Sequence, residues 1–323
     1  MERSRLTAWL VALGVVVLAF VGTIFVLNVT VYSASGFVSS YLGALARHDV
    51  TGAGSTAGVT MPTGGSRALL RADALAGLSD IHLVSDTDRG DGSHRVVYSY
   101  SAAGTRGSST FTVRRDGTNL GLFSAWRFTT SPATVLSITP EHADTFVANG
   151  VELAPSAGAN QATRYIVLAP SAFVLSHSST YLSAPKKTIL VSKPGSPATT
   201  AIDVQANASF VAQVQKELNG YLKKCVTQHV LLPTGCPMGQ QITDRVQDAP
   251  TWSMVANPKV TILPGSSVNT WIMPETPGTA HLKVTVKSIF DGTVSTFDKD
   301  VPFTVAYSIA LQGDGSLAIT AQF

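Results

Sequence analysis

Few residues in this chain have the types and spacing that catalysis requires. Ser183-Ala184-Pro185-Lys186 matches the S-x-x-K pattern, in which a serine nucleophile and a lysine stand one helical turn apart. Here Pro185 separates the two residues in a stretch with strand propensity, and the SDN and KTG partner motifs are absent from the sequence. We therefore assign no catalytic residue, and we do not expect an enzyme.

Metal ligands are also sparse. Glu141-His142-Ala143-Asp144 brings three ligand types together, but it follows Pro140, which favours a turn or a short surface helix, and no H-E-x-x-H pair accompanies it. The seven histidines are scattered without ligand spacing; His229 is predicted at the end of a helix, and His281 on the solvent face of a strand. No metal or other cofactor is expected.

The chain has two cysteines, Cys225 and Cys236, both on the predicted exported side, and an even count in an oxidising compartment suggests one disulfide. The bond would close a loop of about a dozen residues, worth about 3 kcal/mol in the chain-entropy model. Two buried free thiols are the alternative. A zinc site is disfavoured, because only His229 lies between the cysteines and four ligands are usual.

The amino-terminal region predicts where these residues lie in the cell. Residues 8–27 carry no charge, and 20 residues of helix span about 30 Å, the thickness of a bilayer core. Arg3 and Arg5 precede this run and the next cation is Arg47, so residues 1–7 are expected in the cytoplasm, 8–31 in the membrane and the rest outside. No second apolar run is as long, which predicts a single-pass protein of the cell membrane.

A cleaved signal peptide is the alternative to this anchor. Such peptides have an apolar stretch of about 7–15 residues and then a small-x-small cleavage site. The run here is longer, and Ser33-Ala34-Ser35 fits the cleavage pattern poorly, so we favour the uncleaved anchor.

Composition excludes several function classes. Of the 323 residues only 13% are charged and the formal net charge is +3, which is too small for an electrostatic nucleic-acid footprint. Charge is balanced in each segment of the exported region, including nine cations and seven anions in residues 36–131. The surface is therefore not adapted to a polyanion, and no nucleic-acid partner is expected.

The exported region divides into three predicted pieces. Residues 36–131 and 207–323 each read as helix followed by antiparallel strands, and residues 132–206 read as a small all-β module broken up by prolines. The predicted helices are 36–47, 66–78 and 209–229. The predicted strands are 94–101, 109–115, 121–128, 165–168, 172–175, 188–191, 281–287, 303–309 and 317–323. Hairpin turns are expected at Asp91-Gly92, Asp116-Gly117, Asp291-Gly292 and Asp314-Gly315. The fold class is α+β.

Parts of the chain resemble known proteins. The opening of the exported region, GFVSSYLGALARHDVTGA (36–53), is similar to the first helix of exported domains with the cystatin-like, or nuclear-transport-factor-like, cone fold. Residues 221–239 (YLKKCVTQHVLLPTGCPMG) and 279–309 resemble single-pass membrane proteins of actinobacteria whose role is poorly defined. Conjugation-channel proteins of Gram-positive bacteria are similar in plan. The resemblance implies a fold and a location, and no catalytic residue.

The cone fold implies one candidate binding site. Its concave sheet forms a pocket in some proteins, and here Tyr98, Tyr100, Phe111 and Trp126 are the side chains that would line one, unless they are core residues. We expect a non-catalytic, membrane-anchored interaction or scaffold protein with partners in an envelope, secretion or transfer assembly. A ligand-binding or sensing module is the alternative.

Overall fold

The computed structural model describes residues 2–322 and the side chains of residues 9–322. It confirms the α+β class, with one apolar amino-terminal helix and several antiparallel sheets. In the described part the α-helices are α1 (Glu2–Val29), α2 (Ala34–Ala46), α3 (Val50–Gly54) and α4 (Ala208–Cys225).

The chain divides into two compact units. The middle segment of the sequence is divided between them. The first unit comprises Met1–Pro140, Thr145–Ser176 and Lys186–Ile202, and the second comprises Glu141–Asp144, His177–Pro185 and Asp203–Phe323.

Helix α1 contains the predicted span. Within the described residues it is the one helix that is long and apolar enough to cross a membrane, over Trp9–Val29. Most of its apolar side chains are exposed, including Val16, Phe20 and Phe25. The rest of the described chain therefore leaves most of this apolar surface uncovered.

The first unit packs α2 on a four-stranded antiparallel sheet. Its strands are adjacent in chain order: β1 (Leu78–Asp88), β2 (Ser93–Ala102), β3 (Thr105–Asn119) and β4 (Phe123–Phe128). Ser33 caps α2, since its Oγ accepts a hydrogen bond from the Gly36 amide at 2.9 Å. The core lies between one face of α2 and alternate residues of the sheet. The helix contributes Val38, Tyr41, Leu42 and Leu45, and the sheet contributes Val96, Tyr98, Tyr100, Phe111, Val113 and Phe128.

The predicted helix over residues 66–78 is wrong. Ser66 instead pairs with residues 164–166, donating its amide to Arg164 O at 2.8 Å and accepting from the Ile166 amide at 2.9 Å. Arg71 is extended, and only a 3-10 turn forms, at Ala72–Ala74. Pairing with a distant strand therefore overrides the helical spacing of the leucines and alanines.

The predicted hairpin turn at Asp116-Gly117 is also wrong. These residues lie inside β3, where the register with β4 shifts between Arg115 and Thr118, as in a β-bulge. The chain turns three residues later, at Leu120 and Gly121, which both have positive φ. The other three Asp-Gly pairs lie in loops between consecutive antiparallel strands, as predicted.

The regular elements of residues 132–206 are strands. A three-stranded sheet has the order β11-β5-β8, and a five-stranded sheet has the order β12-β10-β9-β6-β7. The strands are β5 (Ala133–Glu141), β6 (Phe146–Ala148), β7 (Val151–Leu153), β8 (Thr163–Leu168), β9 (Ser171–Ser178), β10 (Leu182–Val191), β11 (Ala198–Asp203) and β12 (Gln205–Ala206).

The second unit contains α4 and a six-stranded sheet. The long strands lie in the order β16-β17-β18, with β13, β14 and β15 paired to β16. The strands are β13 (Arg245–Val246), β14 (Thr251–Ala256), β15 (Leu263–Pro264), β16 (Thr270–Lys287), β17 (Val294–Leu311) and β18 (Leu317–Gln322). Phe323, predicted in the last strand, lies outside the described residues.

Helix α4 is shorter than predicted. Asn207 caps its start by accepting from the Phe210 amide at 3.1 Å, and the helix ends at Cys225 rather than at His229. The Gln228 amide bonds to Cys225 O at 3.1 Å in a tight turn. His229 consequently lies beyond the helix, where its Nδ1 is 3.1 Å from Pro250 O.

Candidate functional site

The carboxyl-terminal end of α1 is joined to the first unit by side-chain hydrogen bonds. Asn28, in the last turn of α1, donates from Nδ2 to Leu122 O at 2.9 Å and accepts from the Ser124 amide at 2.8 Å. Just beyond the helix, the Tyr32 ring stacks on Phe123 with the centroids 4.4 Å apart. The β3–β4 hairpin therefore holds the end of the apolar helix, and we call these contacts the Asn28 junction.

Trp126, one of the four predicted pocket residues, belongs to the same region. Its indole Nε1 donates to Tyr32 O at 2.8 Å, and its ring lies 4.9 Å from the His94 ring. It also lines an open groove of about 970 Å³, together with Phe37 and Arg47 of the α2 region. Trp126 thus faces a cavity, on the side of β4 next to the end of α1.

The other three predicted pocket residues are buried in the core of the first unit. Tyr98 donates to Ser35 O at 3.0 Å, and the Tyr100 hydroxyl lies 2.9 Å from Ser109 Oγ. Burial raises the pKa of both Tyr98 and Tyr100. Phe111 is only 1% exposed. Their hydroxyls and rings are thus engaged within the protein.

The second unit contains a cavity that the sequence did not reveal, between α4 and the strands β17 and β18. We call it the α4–β18 cavity. Its volume is about 560 Å³, within the range of small-molecule sites. Its lining combines apolar and phenolic side chains with Gln213 and Glu217, which are hydrogen-bonded to each other at 3.0 Å. The remaining lining includes Tyr181, Val214, Leu218, Tyr221, Tyr307, Leu317, Ile319 and Ala321.

Two phenols of this cavity, those of Tyr307 and Tyr221, are neutral at physiological pH. Burial raises the pKa of Tyr307 to about 12, with a further contribution from Tyr221. Burial also raises the pKa of Tyr221, whose hydroxyl donates to Gly235 O. The cavity wall therefore offers apolar surface and uncharged hydroxyl groups, with Glu217 as the carboxylate.

The predicted disulfide is confirmed and lies near this cavity. Cys225, at the end of α4, is bonded to Cys236. Gln228 braces the loop between them, since its Oε1 accepts from the Thr234 amide at 2.9 Å. Because Tyr221 also bonds to Gly235, the disulfide loop is fastened to the same helix that lines the cavity.

Strand β18 forms an edge of the sheet beside the cavity. It pairs with β17 on one side, and within residues 2–322 no strand is paired to its other side. Alternate residues of β18 line the cavity, namely Leu317, Ile319 and Ala321. The residues between them, Ala318 and Thr320, are exposed. An open strand edge next to apolar pockets is the arrangement that proteins use to bind an extended segment as an added strand.

The residues weighed for catalysis do not assemble into a reactive centre in the described part of the chain. Ser183 and Lys186 lie on β10, so the helical spacing that S-x-x-K chemistry needs is not present. His142 lies 3.3 Å from Asp203, and residues 9–322 contain no group of three His, Cys, Asp or Glu side chains that could hold a metal ion.

An ion-pair cluster on the second sheet was missed by the sequence reasoning. His281 on β16 lies between two carboxylates of β17, with Nε2 2.7 Å from Asp298 and Nδ1 2.8 Å from Asp300. Lys283 approaches Asp298 at 3.3 Å. Hydrogen bonds to Asp300 and Asp298 raise the pKa of His281, and a hydrogen bond from Lys283 is the main cause that lowers the pKa of Asp298.

Comparisons of the chain with protein-family models, with curated proteins and with solved structures found no match.

Proposed function

We propose that this protein is a membrane-anchored, non-catalytic interaction protein whose extracytoplasmic units bind partners in an envelope, secretion or transfer assembly. The Asn28 junction carries the proposal. A signal peptide is removed from the mature protein, whereas here the end of the apolar helix is hydrogen-bonded to the folded β3–β4 hairpin. An apolar helix integrated in this way acts as a retained anchor.

The orientation follows from charge. Arg3 and Arg5 stand before the span and favour the cytoplasmic side for the amino terminus, so both units lie outside the cytoplasm. A disulfide between Cys225 and Cys236 suits that oxidising location. In each unit a helix accompanies an antiparallel sheet, and we propose that both are cystatin-like cone domains.

Partner binding is proposed at β18. An extended segment of a partner would add to the open edge of this strand, and its apolar side chains would enter the α4–β18 cavity between Leu218 and Ile319. Backbone hydrogen bonds would supply affinity, and the cavity would supply selectivity. A short uncharged or weakly basic segment fits best, because Glu217 is the one carboxylate among the lining side chains.

Site-specific photocrosslinking in intact source cells tests the proposal. A photoreactive amino acid at exposed Thr320 on β18 is compared with one at exposed Ser253 on β14. We expect a reproducible adduct with an envelope protein from position 320 only, and its loss in the Ile319→Glu variant. Recovery of partner-free monomer from native membranes, with no adduct at position 320, would overturn the proposal.

The α4–β18 cavity favours a second candidate function, the binding of a small apolar ligand. Its 560 Å³ and its neutral phenols suit a molecule with a hydrocarbon body and a hydrogen-bonding end. An anilinonaphthalene sulfonate dye serves as the probe. On this alternative the dye raises the melting temperature of the wild type, and Leu218→Trp, which fills the cavity, abolishes the rise. An unchanged melting temperature would exclude it.

A further inference from the structure

The β3–β4 hairpin runs alongside the chain as it leaves α1. Strand β4 and the chain after α1 have the same direction, because Ser124 pairs with Asn28, Trp126 with Tyr32, and Phe128 with Phe37, whose rings are 5.0 Å apart. Residues earlier in β4 therefore lie closer to the middle of the apolar helix. The hairpin tip, residues 120–122, lies at that end.

The exposure of α1 shows how far the tip extends. Most of the apolar side chains in Trp9–Val29 are exposed, whereas Ile24, Leu27 and Asn28 are partly covered. Ile24 is one helical turn before Asn28 on the same face of the helix. The hairpin side of α1 is thus covered for a full turn inside the apolar segment.

The tip itself is apolar. Leu120 is 90% exposed and Leu122 is 44% exposed. Leu120 also has a φ of 53°, a conformation that favours Gly, Asn or Asp in a two-residue hairpin turn. A leucine here costs backbone energy and buries nothing within the chain, which points to a function outside the folded unit.

We propose that the hairpin tip, residues 120–122, enters the outer leaflet of the bilayer that α1 crosses, with the Leu120 and Leu122 side chains at the boundary between headgroups and acyl chains. The inference rests on the proposed anchoring of α1. Since the tip is level with the last turns of the span, the first unit is held at the membrane by the helix and by the hairpin, and its orientation is fixed.

The attraction is apolar rather than electrostatic. The tip, residues 120–122, carries no charge, and at the base of the hairpin Arg127 lies 4.0 Å from Asp116. Insertion is therefore expected in zwitterionic as well as in anionic lipids, and is expected to be insensitive to salt.

A fluorescent depth probe tests the inference on the full-length protein in phosphatidylcholine nanodiscs. The label is attached to Leu120→Cys, and the two native cysteines are bonded to each other and do not react with it. The matched control is Ala103→Cys in the β2–β3 turn. Ala103-Gly104 has the same positive φ pattern as Leu120-Gly121, but it lies at the opposite end of the antiparallel sheet. A third label at Val16→Cys reports whether α1 is inserted.

We expect the label at position 120 to emit at shorter wavelength, and to be quenched severalfold more by acyl-chain nitroxides than the label at position 103. If the label at 16 is in lipid while those at 120 and 103 are equally water-exposed, the hairpin inference is overturned and the anchor stands. If the label at 16 is in water, the anchor proposal fails and the inference fails with it.

A second variant separates membrane insertion from folding. Leu120→Asn suits the positive φ, so the turn should form at least as well as in the wild type, but the variant lacks the apolar side chain. With the label at Leu122→Cys, the lipid quenching should fall severalfold in the Leu120→Asn background and stay unchanged in the Ala103→Asn background. Unchanged quenching in both backgrounds would contradict a role for Leu120.

Discussion

The side-chain amide of Asn28 donates to the carbonyl oxygen of Leu122 at 2.9 Å, although 94 residues separate them in the sequence. The same side chain accepts a hydrogen bond from the Ser124 amide. One asparagine therefore binds the carbonyl group before Phe123 and the amide group after it. These hydrogen bonds join the last turn of the apolar helix to the tip of the β3–β4 hairpin. The bulge in β3 lies within the same hairpin.

Asn28→Leu should therefore loosen the junction. The variant loses the two hydrogen bonds to the hairpin, each worth about 0.5–1.5 kcal/mol net, while the helix remains apolar enough to insert. We expect faster hydrogen exchange at the Ser124 amide in detergent-solubilised full-length protein. Thr23→Val is the control, because Thr23 Oγ1 bonds only within α1, to Ala19 O. Unchanged exchange in Asn28→Leu would contradict the junction.

Local patterns predicted most of the elements. The strict alternation of Val96, Tyr98 and Tyr100 correctly placed β2, and the apolar stripe placed α2. The predicted helix over residues 66–78 was wrong because its conformation depends on residues that are distant in the sequence. Ser66 adopts an extended path because Arg164 and Ile166 pair with it. No local pattern contains that information.

The candidate sites were less predictable than the fold. The disulfide followed from an even count of two cysteines, both on the predicted exported side. The Asn28 junction requires knowing that Asp116-Gly117 is a bulge, and an Asp-Gly pair is equally suited to a turn. The α4–β18 cavity depends on how α4 lies against the sheet edge, which periodicity does not specify.

Removing the disulfide should destabilise the second unit. In the Cys225→Ala, Cys236→Ala double variant we expect a loss of about 3 kcal/mol, because the loop gains freedom in the unfolded chain. Urea unfolding without reductant measures the loss, and both cysteines of the wild type should resist alkylation until reduced. Adding reductant to the double variant is the control and should change nothing. Equal stability of variant and wild type would be inconsistent with a structural bond.

Stability should depend on pH through His281. Its pKa is raised above 6.5 in the folded protein, so its contribution is complete below pH 6.5 and is lost as pH rises through the raised value. The pKa of Asp298 is lowered below 3.8, so its contribution is present above pH 3.8 and is lost as pH falls through the lowered value. The cluster therefore stabilises most between these two limits.

His281→Gln tests this dependence. The protonated ring donates from both nitrogens, to Asp298 and to Asp300, and glutamine carries no charge to replace it. The difference in melting temperature between wild type and variant should be larger at pH 5.5 than at pH 8.5. His82→Gln, at an exposed position of β1, should show no such trend. A pH-independent difference for His281→Gln would rule out the ion-pair explanation.

Two glycine substitutions should have opposite effects on stability, since the bulge and the helix impose different backbone conformations. A Cβ at Gly117 or at Gly220 would meet nothing within 4 Å, so crowding is the same for both. Gly117 has a φ of 83° at the bulge, and Gly117→Ala should cost about 1–2 kcal/mol. Gly220 lies inside α4, and Gly220→Ala should stabilise by about 0.5–1 kcal/mol, because alanine has the higher helix propensity. Thermal unfolding of the full-length protein measures both shifts. If Gly117→Ala were neutral or stabilising, the chain would not form the bulge that carries the hairpin to Asn28.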